Sequence, residues 1–432
     1  MSLREKIFWY VDALKGGQIK KHHIEIKSII EFPESDASVK AKNKNLNKIL
    51  NHAINSTPFY KKYEDFKSIQ DFPIIKKTVV QDNFEDFKSK DFIDNKLFKV
   101  STSGSTGVPF FLFHNKNKRN RNTADVIYFA KLAGYTIGTK LLELEVWRNH
   151  NKKNSIKAFI QNVEQFDITR LDKSRVQVLF EKLKSNKAKK NILGFSSALE
   201  TICQNIDAKD INIDNANISS IIANSEYLNP YVKETLGKHL NTNVLSRYSS
   251  EEVGIIAHQT LNSPNEFTLN HASYYVEILN LDNDEPAKPG TSGRLVITDL
   301  FNYSMPLIRY DTGDIAVASY GENGVLKLKH IEGRKMDLIY DTKGNLLSSF
   351  MVYTKFYNYY KFLNQYQFIQ KGEKSYTIKL NPKGEFKFES KLISLFKEDL
   401  GADANIKVEY VEEVPPLSSG KRRKVVNEYH KK

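Results

Sequence analysis

The run from residue 218 to 248 constrains the fold more than any other part of the chain. ISSIIA (218–223) is a short, β-branched apolar run of the kind that forms a buried strand. A helical pattern follows from about Pro230 to Leu240, with the proline near its first turn, and Val244 to Tyr248 is strand-like again. Leu141 to Trp147 is a further strand. Strand–helix–strand alternation at this spacing predicts an α/β sheet. Helices are also predicted over 42–60, with Leu46, Ile49, Leu50, Ala53 and Ile54 on one face and Thr57-Pro58 as the stop, and over 118–133. From Tyr274 to Ile315 the pattern changes to strand and turn (YYVEIL, then DNDEPAKPGTSG, then RLVITDL), a β-rich subdomain. The last hundred residues read as a small α+β domain, with strands YQFIQ, YTIKL and NIKVEYV and helices near 351–362 and 388–399. The boundary falls near Gly333-Arg334. At 432 residues the chain is too long for one ordinary core, so this division is expected.

Charge and cysteine count narrow the functional classes. The net charge of +14 points to an anionic partner or to a solvated lysine-rich face. The only tight basic cluster is Lys421-Arg422-Arg423-Lys424, and no interleaving of aromatic and basic residues marks a single-strand nucleic-acid binder. Specific nucleic-acid binding is therefore not expected. A single cysteine, Cys203, excludes an internal disulfide and a multi-cysteine zinc site. The N-terminal run Ile7-Phe8-Trp9-Tyr10-Val11 is too short to cross a membrane, which leaves a cytoplasmic protein and, at this aromatic start, a peripheral membrane contact.

Five segments carry candidate chemistry. STSGSTGVPF (101–110) is either a flexible loop or a cradle in which glycines admit close backbone approach and hydroxyls meet phosphate oxygens. No lysine follows Gly107, so it is not the Walker-type loop. RYSSEEVG (247–254) sets two carboxylates after a strand, either an exposed pair or a Mg²⁺ ligand beside phosphates. In PLIRYDTGDIA (306–316), Asp314 follows a glycine turn and is either a turn residue or a ligand for two ribose hydroxyls, with Arg309 and Asp311 nearby. IEGRKMDLI (331–339) lies at the boundary, and PPLSSGKRRKV (415–425) is near the end.

In this order and at these separations the five segments resemble the adenylate-forming enzymes, the acyl-CoA synthetase and luciferase superfamily. The resemblance covers about 45–425. HAINSTPFYKKY (52–63), DFPIIKKTVVQDNF (71–84), GFSSALETI (194–202), NEFTLNHASYYVEIL (265–279) and SMPLIRYDTGDIA (304–316) are similar to the phenylacetate–CoA ligase branch and its CapK relatives of capsular polysaccharide systems. The resemblance implies a large α/β adenylate-forming domain with a β-rich subdomain (1–333) and a small mobile α+β C-terminal domain (334–432). It implies ATP and Mg²⁺ as cofactors, CoA as a possible one, and a small carboxylic acid as substrate. The acceptor would be CoA, an amine or a sugar-linked group, the last in surface polysaccharide assembly. The carboxylate attacks the α-phosphate, pyrophosphate leaves and an acyl-adenylate forms.

Residue by residue, it implies that Ser103, Gly104, Ser105, Thr106 and Gly107 hold the β- and γ-phosphates, with Thr106 as hydroxyl donor. Tyr248 would flank adenine, Ser225 and Glu226 would line its pocket, Asp314 would bind ribose, and Arg334 would contact nucleotide at the domain joint. Glu252, four after Tyr248, would hold Mg²⁺, with Glu251 as the alternative if the register slips by one. Lys421 would reach the α-phosphate and the carboxylate. Phe195 to Leu199, the strand before Ser225, and Ile255 to His258 would build the acid pocket.

Four departures qualify this. Val108 stands where many relatives have lysine, so either the pyrophosphate would be held less tightly or Lys116 or Lys118 would substitute. Met336 replaces the usual hinge Asp or Lys, which weakens the case for a CoA half-reaction. His258 and His271 lack the cysteine partners of a zinc site, and Ser249 replaces a glycine. A degenerate relative that binds nucleotide or a pathway partner without turnover is the alternative.

Overall fold

The computed structural model describes residues 2–102, 110–147, 152–169, 171–185, 187–207, 216–321, 324–334, 338–347, 349–416 and 422–429. The chain forms two compact units, one of residues 1–139 with 245–331 and the other of residues 140–244 with 332–432.

In the first unit the core lies against an antiparallel sheet. Its strands run, in spatial order, Tyr274–Leu279, Ser292–Asp299, Tyr310–Tyr320, Leu326–Arg334, Ser263–Leu269, Gly254–Thr260 and Val244–Ser250. The helix Asp36–Ser56 starts earlier than the apolar period suggests, because Ser35 accepts the Ser38 amide and Asp36 lies in the first turn. It ends at Ser56, where Thr57 turns extended ahead of Pro58. Lys116–Leu132 is capped by Asn115, whose side chain accepts the Lys118 amide. A separate hairpin pairs Phe98–Thr102 with Phe110–His114 in the register Thr102↔Phe110, so the strands flanking residues 103–109 meet at their near ends. Phe110, Leu112 and His114 alternate inward along the second strand.

The second unit begins with four parallel strands, in the order Ile218–Asn224, Lys190–Phe195, Lys140–Glu145 and Val163–Asp167. The helices Ser155–Gln161, Lys173–Lys184 and Ser196–Asp207 lie between these strands in sequence, and Pro230–Leu240 follows the last of them. Asn229 caps Pro230–Leu240, with proline at the first helical position. The chain later adds a four-stranded sheet in the order Asn405–Tyr410, Ser375–Pro382, Leu363–Gln370 and Val425–Asn427, covered by Phe350–Phe356 and Glu389–Leu400. This sheet rests on the parallel layer through particular contacts. Gln204 Nε2 donates to the Leu363 carbonyl at 2.8 Å, Lys383 Nζ donates to the Gln204 carbonyl at 3.2 Å, and Tyr231 stacks on Tyr360. Among the described residues no helix is long and apolar enough to cross a membrane.

Candidate active site

The first unit brings together residues that lie far apart in sequence. Tyr248 lies near the end of the strand Val244–Ser250, where the pairing with Gly254–Thr260 shifts between Tyr248 and Ser249. The unpaired extra residue is Ile256 of the facing strand, and pairing resumes through Ser249↔Ile255 and Ser250↔Gly254 up to the turn that carries Glu251 and Glu252. That turn is fixed by two bonds to carbonyls: His114 Nε2 donates to Glu252 O at 2.8 Å, and the Tyr274 hydroxyl donates to Val253 O at 2.5 Å. The first bond ties it to the strand leaving residues 103–109. Glu251 is exposed; the Glu252 side chain keeps only 11 % of its surface.

Asp314 comes from the strand Tyr310–Tyr320, separated from Val244–Ser250 by three strands in the sheet order, at the irregularity where Asp311 pairs with Val296 but Ile315 with Arg294. Gly313 takes a positive φ of 78°, its amide donates to Asp311 Oδ1, and the Asp314 amide donates to Thr312 Oγ1. The Tyr248 hydroxyl donates to Asp314 Oδ2 at 2.5 Å. Burial raises the Tyr248 hydroxyl pKa far above its ordinary value, and the negative charges of Asp314 and Glu252 push the same way. Tyr310, also buried, is pushed up by burial and then by Glu252 and Asp314. Glu252 and Asp314 thus act on two tyrosines, Tyr248 and the buried Tyr310. Arg309 holds the start of this strand in a left-handed conformation, φ 49°. Its guanidinium offsets that strain by gripping Glu277 at 3.0 and 3.1 Å and the Phe72 carbonyl at 3.0 Å.

A residue unmarked in sequence joins them. Lys77 places its Nζ 3.5 Å from Glu252 Oε1 and 4.7 Å from the centre of the Phe110 ring. Only its proximity in space singles it out. Lys118, by contrast, cannot replace a lysine at 108: it is fully buried and paired with Asp299 at 2.6 Å. Lys116 is exposed at the start of its helix. A second correction concerns the acid pocket. Ile255, Ile256, Ala257 and His258 lie in the core, because their strand is covered by apolar residues on both sides. His258 is buried and His271 half-buried; desolvation lowers their pKa values to about 3 and about 4, and His258 stacks on Phe129.

In the second unit Ser225 follows the strand Ile218–Asn224 with φ 69° and is exposed. The Glu226 carboxylate accepts the Ser197 amide at 2.8 Å and the Arg422 amide at 3.2 Å. Ser103, Gly104, Ser105, Thr106, Gly107, Val108, Met336 and Lys421 lie outside the described residues, as does the side chain of Arg334.

Among the described residues no group of three His, Cys, Asp or Glu could hold a metal. Mg²⁺ needs no such cage: one or two carboxylates suffice where substrate phosphates and water complete the shell. Glu252, an oxygen donor on a fixed turn beside the strand leaving 103–109, fits that requirement.

Residues 339–428 match the CapK C-terminal domain family. Protein CapK of Staphylococcus aureus is 22% identical over 450 residues, covering 99% of this chain and 96% of that protein. The structure is similar to 2-hydroxyisobutyryl-CoA ligase in the postadenylation state with 2-HIB-AMP, with a TM-score of 0.74, 18% identity, and 91% and 90% of the two chains covered. It is also similar to ATP-bound MatB from Rhodopseudomonas palustris, with a TM-score of 0.56, 13% identity, and 76% and 66% covered.

Proposed function

From the likeness of its fold to an adenylate-forming CoA ligase and the match of 339–428 to the CapK C-terminal domain, we propose that this chain activates a carboxylic acid with ATP and passes the acyl group to an acceptor. One observation carries the proposal. Tyr248, Glu252 and Asp314, spread over 66 positions, are brought together beside the strand that leaves residues 103–109.

In the first step a carboxylate oxygen attacks the α-phosphorus and the bond to the β-phosphate oxygen breaks, giving acyl-AMP and pyrophosphate. This chain must place the phosphates and neutralise charge that grows on them. The hydroxyls and amides of 103–107 cradle the β- and γ-phosphates. Asp314, oriented by the Tyr248 hydroxyl, accepts bonds from ribose. Ser225 and Glu226 border adenine, and Arg334 contacts the nucleotide. Lys77, at 3.5 Å from Glu252, brings to this side the positive charge that Val108 lacks. Mg²⁺, held by Glu252, supplies charge stabilisation on the phosphate oxygens. Lys421 approaches the α-phosphate from residues 334–432, which act as the mobile domain.

In the second step an acceptor attacks the acyl carbon and AMP leaves. Coenzyme A is the acceptor the fold favours, and the likeness to CapK supports a sugar-linked or amine acceptor in capsular polysaccharide synthesis as the alternative. Pyrophosphate exchange into ATP, run over aryl, aliphatic, amino and sugar acids, tests the reading. Acid-dependent exchange that falls about 10²–10³-fold in Lys421→Ala is expected. Val108 and Met336 favour a second reading, a nucleotide binder without turnover; ATP binding with no exchange for any acid selects it.

A further inference from the structure

The helix Leu3–Leu14 is turned inside out relative to an ordinary surface helix, whose apolar stripe faces the core. Leu3, Ile7, Tyr10 and Leu14 keep 73%, 50%, 66% and 70% of their surface exposed, and Val11 keeps 39%. At about 100° per residue these five side chains fall within an arc of about 100°, one continuous outward stripe. Exposed Lys6 borders it on one edge and exposed Lys15 on the other. The acids point the opposite way: Asp12 is buried and accepts the Ile19 and Lys20 amides at 3.2 and 2.8 Å, capping the next helix.

The helix is fixed to its unit by that inner face. Ser2 caps it by accepting the Glu5 amide at 3.1 Å. Gly138 lies so close under its first turn that an added Cβ would come within 2.7 Å of Arg4 Cβ. Trp9 packs edge-on against His23, with Lys20 Nζ 4.5 Å from the centre of its ring. The stripe is therefore presented by a rigid element. Residues 1–24 hold five Lys or Arg (4, 6, 15, 20, 21) against two acids (5, 12), and both acids belong to the inner side.

We propose that this face docks the protein on an anionic lipid bilayer, with the stripe in the acyl–headgroup boundary and the lysines on lipid phosphates. A helix about 18 Å long cannot span a bilayer, but it can lie in its surface. The charge pattern favours lipid over a second copy of the chain: paired face to face, two such stripes would bring their Lys6 and Lys15 rims together. The pattern of an apolar face rimmed by cations suits a surface whose interior is apolar and whose rim is negative.

Flotation of the full chain with vesicles of phosphatidylcholine containing phosphatidylglycerol, against pure phosphatidylcholine, tests this. Most of the protein should float with the anionic vesicles, and far less with the neutral ones or at high salt. Ile7→Glu with Leu14→Glu should abolish flotation while the thermal melt and the acid-dependent exchange stay as in the parent. Lys6→Gln and Lys15→Gln should each lower vesicle affinity about fivefold. Three results overturn the proposal: no binding of the folded parent to anionic vesicles, equal binding of the double glutamate variant, or a dimer in sedimentation that the double variant dissolves.

Discussion

Lys118 and Lys77 both sit beside a carboxylate in the first unit, and their surroundings separate them. Lys118 meets Asp299 at 2.6 Å with both side chains fully buried. Around it Arg121, also fully buried, contacts Glu25, Ser273 and the Ala272 carbonyl and lies over the Phe301 ring. Burial pushes the Asp125 carboxyl up, and Arg121 and Lys118 oppose that shift. Lys77 and Glu252 keep 30% and 11% of their side-chain surface and stand 3.5 Å apart. The first set is closed and mutually satisfied, so it can hold helices to a sheet but cannot meet a ligand. The second is a looser, partly exposed pair, whose charges a polyanionic substrate could reach. Charge alone does not mark a site; a charge whose partnership can be exchanged does.

Arg121→Ala should give the largest effect. It strands Glu25 and Asp125 and should cost about 3–5 kcal/mol in urea unfolding, with exchange per folded molecule unchanged. A loss below about 1 kcal/mol would remove the distinction between the two sets.

Acid should attack the closed set next. His22 and His114 are held at about 4, first by burial and then by the cations Arg121 and Lys118 respectively. Their folded values lie below the unfolded 6.5, so the neutral form is favoured in the fold. The stability this gives is full above pH 6.5 and is lost as pH falls from 6.5 towards 4. Each histidine contributes on the order of 3 kcal/mol at neutral pH. Unfolding midpoints at pH 7.5 and 4.5 should differ accordingly, and His114→Gln should flatten the slope.

The same contrast explains what could be read in advance. The strands 274–279 and 292–299 and the helix Pro230–Leu240 were legible because apolar period, proline and turn residues are local signals. The convergence of Tyr248, Glu252 and Asp314 was legible only through the order of motifs. Lys118 looked available because its partner Asp299 lies 181 positions away, and no local pattern reports that pairing. Lys77 went unremarked for the mirror reason, its neighbour Glu252 being equally remote. The grouping of 332–432 with 140–244 was hidden too, since it rests on contacts such as Gln204 to the Leu363 carbonyl.

Within the open set, Glu252→Gln should lower exchange by about 10²-fold, the scale of one lost charge-stabilising group, and should shift the Mg²⁺ dependence to higher concentration. Its stability cost should be small. Lys77→Gln should act more gently, raising KM for ATP by roughly tenfold with kcat preserved, as for uniform binding. Unfolding should change by about 1 kcal/mol or less, because Lys77 keeps 30% of its side-chain surface in water. A large stability loss in Lys77→Gln would place it with Lys118 instead.

The smallest effect tests whether Tyr248 serves Asp314 or competes for it. A carboxylate has about four acceptor positions, so the Tyr248 bond on Oδ2 leaves room for ribose hydroxyls. If the hydroxyl only orients the carboxylate, Tyr248→Phe should raise KM for ATP about threefold with kcat near the parent. Asp314→Asn should then cost more than Tyr248→Phe, because it removes the acceptor itself. A fall in KM in Tyr248→Phe would reverse the reading: the phenol proton would be holding the carboxylate shut, and nucleotide binding would have to break that bond first.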